Sequence, residues 1–265
     1  MEWDRLLSPR RVACGGPARD PQHEPARSVF ERDWDRVLFS AAFRRMHDKT
    51  QVFPLPEDDV VHSRLTHSLE VASVGRSLGK FVGLKLQERH SNVVPDDVAN
   101  IVAAAALAHD IGNPPFGHAG EDAIAEFFRS PEGERALESL TESERRDLKA
   151  FEGNAQGFRL LTRLQLESDN GLHLTAATLA AFTKYPRTSD KALGDEDHAS
   201  RKKHGLMQAD VDTFRSVAQE TGLMERVTRP SATENTSGVA RATMAATAAT
   251  SAAPSACVKT RLRVS

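Results

Sequence analysis

The sequence is poor in several features that would narrow its class. It has only two cysteines, Cys14 and Cys257, near opposite ends of 265 residues. That excludes a disulfide framework and fits a reducing compartment. The first residues (MEWDRLLSPRRVACGG) contain no apolar stretch followed by a cleavage site, so no secretory leader is read there. The longest apolar run, IVAAAALA at 101–108, is far too short to span a bilayer. No charge sign dominates: 35 Lys and Arg stand against 37 Asp and Glu. Bulk nucleic-acid binding and attachment to an acidic membrane are therefore not indicated. The expectation is a cytoplasmic protein without a membrane partner. Strand signals are also scarce, which makes the fold mostly α.

Residues 1–27, rich in Pro, Gly and Arg, read as an irregular arm. A helix is predicted from Ser28 through VFERDWDRVLFSAAFRRM, with Val29, Trp34, Val37, Leu38 and Ala41 as its buried stripe. TQVF then reads as extended and PEDD as a loop. A longer helix is predicted from Leu65 to Glu88, with Leu69, Ala72, Val74, Leu78, Phe81 and Val82 as its apolar positions. A third opens at Pro95-Asp96-Asp97, with acids in its first turn, and is apolar nearly all round, so it should be central. GNPP stops it, and helices follow in EDAIAEFF, FEGNAQGFRLLTRLQL and LTAATLAAF. The tail differs: from Ser231 to Ala256, 19 of 26 residues are Ala, Ser or Thr. Such a stretch buries too little surface to offset the entropy of ordering it. The expected organisation is an arm (1–27), a helical domain (28–228) and a low-complexity, disordered or foreign tail (229–265).

The chemistry sits in His67, in His109-Asp110, and in His118 with Glu121. An adjacent His-Asp pair is costly to bury without a partner, and a divalent ion supplies one. Imidazole suits Mn, Fe, Co, Ni and Zn, while a carboxylate extends the range toward Mg and Mn. Neighbouring residues diverge on a helix, so both can reach one ion only near a helix end, where Gly112 and Pro114 place them. His67 arrives from the preceding helix. His118 and Glu121, three apart at a helix start, share a face, and the carboxylate can orient the imidazole as a general acid or base. Against this stand plainer readings. His62, His90, His173, His198 and His204 read as surface or capping residues, and Arg44-Arg45 as a solvated face. The glycines of VASVGRSLGKFVG lack the strand–turn–helix context of a phosphate loop.

Four strings stand in one order: FRRMHDKTQVFP, RLTHSLEV, HDIGNPPFGHAGE and FEGNAQGFRL. Together they closely resemble the bacterial deoxyguanosinetriphosphate triphosphohydrolases of the HD superfamily, over about residues 28–225. The resemblance implies an all-α HD-domain helical bundle, a homo-oligomer, and a divalent metal, with Mg or Mn first and Fe, Co, Ni or Zn open. It implies hydrolysis of dGTP, or another dNTP, to the deoxynucleoside and tripolyphosphate. It assigns His67, His109 and Asp110 to the metal and His118 and Glu121 to catalysis. Gln51, Arg64, Lys184 and Tyr185 are assigned to the substrate.

One departure counts against activity. The family's last metal ligand is an Asp on an acidic helix well beyond LMQADVDTF, and after Glu234 this chain has no Asp or Glu. Asp195, Asp197, Asp210 and Asp212 are the remaining late carboxylates, in segments that match other parts of the family. The bundle is therefore expected to be incomplete at its C-terminus, through truncation or a frameshift. Two other readings stay open: an HD phosphohydrolase acting on a different nucleotide or a phosphodiester, and an inactive or regulatory nucleotide-binding remnant.

Overall fold

Helix α5 (Pro95–Ala108) is the axis of the molecule, and every residue from Ile101 to Leu107 is fully buried. The computed structural model describes residues 2–22, 24–49, 63–164, 171–191 and 203–223. The architecture is all-α, as expected. Among the described residues there are helices and isolated bridges but no β-strand. The alanines of α5 explain its position: a helix with almost no side-chain bulk can be approached from every side. Helix α4 (Arg64–Gln87) lies along it, while α2 (Val29–Leu38) and α10 (Ala176–Phe182) pack on other faces. Helices α6 (His118–Arg129), α7 (Pro131–Ala136) and α8 (Glu142–Lys149) form a second group. Helix α9 (Gly153–Thr162) follows, and α11 (Val211–Glu220) packs on α10. The predicted boundaries of α4 and the stop after α5 hold. TQVF and PEDD lie outside the described residues, as does the tail from 224 onward.

The faces of two helices differ from the reading above. In α4 only Ala72 of the predicted stripe is buried; Leu69, Val74, Leu78 and Phe81 are exposed. The inner face instead carries Gly75, Gly79 and Gly83. A Cβ on Gly79 would come 2.9 Å from the Cα of Ala99, and one on Gly83 would come 2.7 Å from the Cα of Pro95. The glycines thus let two backbones touch, and contact between main chains replaces contact between large side chains. The segment after Ser28 is also not one helix. Helix α2 ends at Leu38, and Ser40 starts a new turn, α3 (Ala41–Arg44), by accepting a bond from the N–H of Phe43 at 3.2 Å. A serine that offers its hydroxyl to the backbone competes with helix continuation. The buried face of α2 is Phe30, Asp33 and Val37; Val29, Trp34 and Leu38 are only partly covered and Ala41 is exposed.

Asp33 is fully buried because it is fully bonded. It accepts from Arg11 Nη1 at 2.8 Å, the N–H of Thr175 at 2.9 Å and the Thr175 hydroxyl at 2.7 Å. Through it the N-terminal segment joins α2 to the start of α10. Backbone bonds add to the seam: Val12 N–H donates to Leu174 O at 3.1 Å, and Ala176 N–H donates to Arg10 O at 2.8 Å. Leu6, which ends the short helix α1 (Trp3–Leu6), belongs to the core, as do Val12 and Ala18.

Candidate metal and proton-transfer site

The site lies where the start of α4 meets the end of α5. Ser63 caps α4 by accepting from the N–H of Thr66, which puts Arg64 and His67 in the first turn, both buried. Helix α5 ends at Ala108, and His109 and Asp110 follow in its last loose turn. The chain cannot continue as a helix there. Gly112 lies so close to the backbone of Gly153 and Gly157 on α9 that any side chain would overlap them, and Pro114 and Pro115 come next.

His67, His109 and Asp110 each offer one ligand atom, and these atoms all lie within 4.8 Å of one another. His109 Nδ1 lies 2.8 Å from the carbonyl of Ala106, so Nδ1 carries the proton and Nε2 keeps its lone pair toward the group. That Nε2 is 3.3 Å from Asp110 Oδ1. Two atoms each about 2.0–2.2 Å from one ion stand roughly 3 Å apart, so this spacing suits neighbours in one coordination shell. The His67 and His109 rings meet edge to face, with centroids 5.3 Å apart. Two imidazoles and a carboxylate, with the tautomer of one imidazole set by a main-chain acceptor, form a donor set that fits a divalent cation.

The carboxylate of Asp110 is held on both sides. Its Oδ2 accepts from Arg64 Nη1 at 2.6 Å, and its Oδ1 accepts from Asn113 Nδ2 at 2.7 Å. Arg64 also lies against Gly117, where a Cβ would come 2.8 Å from Nη2. Lys49 Nζ donates to the carbonyl of Asn113 at 2.8 Å. Burial and the nearby Arg64 hold the Lys49 ammonium below its ordinary value.

The loop then turns through two left-handed residues, Phe116 (φ 65°) and Gly117 (φ 58°), into α6. A bulky residue at positive φ is strained, and the Phe116 ring remains exposed. His118 opens α6. Its Nδ1 lies 2.6 Å from Glu121 Oε2, and the imidazole is 78% exposed while the carboxyl is 9% exposed. Glu121 is fixed in turn by the N–H of Gly153 on Oε1 at 2.8 Å. The string FEGNAQG therefore supplies the backbone donor that orients the His118–Glu121 pair.

Lys184 and Tyr185 follow α10, with Lys184 Nζ 5.4 Å from the Tyr185 ring centroid. Burial first, then Lys203, lowers the Lys184 ammonium from its ordinary value, while Asp110 and Glu152 pull it back up. Burial and then Glu152 raise the Tyr185 phenol. Lys203 Nζ is 3.3 Å from Glu152 Oε1. Arg64, Lys49 and Lys184 thus place positive charge near Asp110, with Lys203 one step further out on Glu152. Gln51 lies outside the described residues, as do Asp195 and Asp197.

Of the late carboxylates that are described, neither joins the group. Asp210 is buried against Arg159 and Arg163, and Asp212 is exposed on Arg215. Lys49, Asn113, Gly153 and Lys203 were not singled out from sequence. Asn113 and Gly153 stand inside the two strings most specific to the site, which was the available signal. Lys49 sits two residues before Gln51 in a third string, and Lys203 carried none. His204, read as a surface or capping residue, is 3% exposed. Its burial follows from the chain around Gly205, which passes so close to the Tyr185 backbone that a side chain there would overlap it.

A helical fold with a His/His/Asp group at the junction of two helices defines an HD-domain protein, and residues 64–168 match the HD domain family. A deoxyguanosinetriphosphate triphosphohydrolase-like protein of Synechocystis sp. is 48% identical over 234 residues, covering 85% of this chain and 52% of that protein. One from Pseudomonas aeruginosa is 47% identical over 227 residues, covering 84% and 50%. A deoxyguanosinetriphosphate triphosphohydrolase of Cronobacter sakazakii is 40% identical over 196 residues, covering 63% and 38%. The chain carries an HD domain and over most of its length is similar to deoxyguanosinetriphosphate triphosphohydrolase-like proteins, which fits an HD protein of that family. It spans about half the length of the curated relatives it matches. No described helix is long and apolar enough to cross a membrane.

Proposed function

We propose that this chain carries the metal- and proton-handling part of a deoxynucleoside triphosphate triphosphohydrolase, with dGTP as first substrate. The observation that carries the reading is the His67/His109/Asp110 group beside the loop that delivers the His118–Glu121 pair. His67, His109 and Asp110 would hold a divalent ion, Mg or Mn first, which when bound supplies Lewis-acid polarisation at the α-phosphate. Arg64, Lys49, Lys184 and Lys203 offset the charge of the triphosphate. Gln51 is assigned to the sugar. A water oxygen bonds to the α-phosphorus, the bond from that phosphorus to O5′ breaks, and O5′ leaves as the hydroxyl of the nucleoside. With Nδ1–H donated to Glu121, the exposed Nε2 of His118 relays the proton.

The test is incubation of purified protein with dGTP and Mn or Mg, with detection of tripolyphosphate. His109→Ala protein should release none, and a panel of dNTPs reports base preference. Wild-type protein that releases no tripolyphosphate from any dNTP sinks the reading. A second reading is favoured by the ligand count, which is three among the described residues. It is a nucleotide-binding remnant without turnover, recognised as folded protein that binds dGTP but releases no product and retains no metal by mass spectrometry.

A further inference from the structure

We infer that Asn113, wedged between Asp110 and Gly153, is a positioning residue that ties the metal-holding half of the site to its proton-handling half. The role rests on the proposed ion at His67, His109 and Asp110, and it is exerted through those neighbours rather than on substrate. Asn113 Nδ2 donates to Asp110 Oδ1 at 2.7 Å, and Oδ1 is the oxygen that lies 3.3 Å from His109 Nε2. The other oxygen, Oδ2, is taken by Arg64. An ionised carboxylate only accepts, so the amide nitrogen has to face it, and that sends the amide oxygen the opposite way. The rest of Asn113 is held as well. Its N–H donates to the carbonyl of Asp110 at 3.1 Å, and its own carbonyl accepts from Lys49 Nζ at 2.8 Å. Pro114, next in the chain, restricts its backbone further.

The amide oxygen ends against Gly153. A Cβ on Gly153 would overlap Asn113 Oδ1 and would lie 2.7 Å from Glu121 Oε1. The missing side chain thus makes room for two functional side chains at once. Gly153 is also the first residue of α9, and a helix cannot satisfy its first N–H groups internally. This one goes to Glu121 Oε1 at 2.8 Å. Contacts therefore run from Asp110 through the Asn113 amide to Gly153, and from there to Glu121 and His118 Nδ1. At Gly112 a Cβ would meet the backbone of α9, and the fold itself would have to give. At Gly153 the two nearest atoms are the ends of side chains. An added methyl there displaces Asn113 and Glu121 and leaves the helix in place.

Calorimetric titration of the full chain with Mn, paired with nitrogen NMR of the His118 imidazole in the metal-free protein, tests this. Asn113→Ala should weaken Mn binding about 10–100-fold, the usual cost of losing an outer partner of a metal ligand. It should keep the Nδ1–H signal of His118, because the bond from Gly153 to Glu121 survives. Gly153→Ala should weaken Mn binding to a similar extent although it contacts no ligand, and it should also shift His118 away from the Nδ1–H tautomer. In the double variant Asn113→Ala, Gly153→Ala the methyl has no amide to push, so Mn affinity should match that of Asn113→Ala alone. Circular dichroism melts should show all three variants folded. Wild type that binds Mn no better than Asn113→Ala overturns the role and leaves the metal assignment standing. A double variant whose losses add also overturns it, since additive losses mean that no coupling runs through the amide. A Gly153→Ala chain that fails to fold does the same, because the methyl then meets more than side-chain ends. Wild-type protein that binds no Mn removes the metal assignment and this role with it.

Discussion

In the proposed reaction, Glu121 is the residue on which proton handling turns. It accepts from His118 and from the N–H of Gly153, so its charge serves two donors at once. Replacing it with Gln keeps the shape but can leave the wrong imidazole nitrogen protonated. Glu121→Gln should lower kcat for dGTP by about 10²–10⁴-fold, the range of general acid–base contributions, with KM little changed; steady-state kinetics checks the split. His204 is a second residue whose environment sets its chemistry. Burial lowers its pKa below 6.5, and Lys203 adds to this, while Glu152, Asp147 and Glu121 pull it back up. A depressed base binds protons more readily once unfolded. Its contribution to stability is therefore complete above 6.5 and is lost as pH falls through the folded value. Denaturant melts from pH 7 to 5 should show wild type losing up to about 1.4 kcal/mol per pH unit through this group, a slope that His204→Asn lacks. The grouping of His67, His109 and Asp110 was legible in the sequence because an adjacent His-Asp at a helix stop is costly to bury without a partner. Lys49 and Lys203 were not, because a lone lysine becomes informative only when tertiary packing brings it near a carboxylate or another cation.

At the scale of elements, the positions of the main helices and the limits of α4 could be read in advance, but the break after α2 and the faces of α4 could not. Period analysis weighs large apolar side chains, and in α4 these point outward while glycines face the core. A helix seated by backbone contact leaves no hydrophobic signal on its buried side; its signal is a run of glycines at intervals of four. Gly79→Val tests that account. Its new side chain would start 2.9 Å from the Cα of Ala99, so α4 must shift away from α5 and draw His67 from His109. We expect a loss of about 1–3 kcal/mol, typical of overpacking, measured by urea unfolding, together with weaker Mn binding by calorimetry. Gly16→Val, at an open position, should do neither.

At the scale of the whole molecule, Asp33 joins distant parts of the chain. Asp33→Ala removes the carboxylate partner of Arg11, whose side chain is 11% exposed, and leaves the N–H of Thr175 without its acceptor. Breaking a buried pair costs about 3–5 kcal/mol. For a chain of this size that is a fall in Tm on the order of 6–20 °C, readable by calorimetry, and Asp33→Asn should recover part of it. The all-α architecture was legible from the scarcity of strand signals and the all-round apolarity of α5. The link from Asp33 to Arg11 and Thr175 was not, because no local pattern announces a bond across 142 residues.

That seam also sets an order of events in time. Arg11 Nη1 reaches the carbonyl of His173, a separation of 162 residues, and Val12 and Ala176 close main-chain bonds across a similar distance. During synthesis the first segment emerges early and then waits, with Leu6 and Val12 uncovered, until residues near 176 leave the ribosome. Contacts so remote in sequence form late, because a long loop must close before they gain anything. Residues 6–12 are made long before their partners near 175 and are thus among the last to find their place, and a nascent chain stalled before Thr175 would expose them to chaperones and proteases.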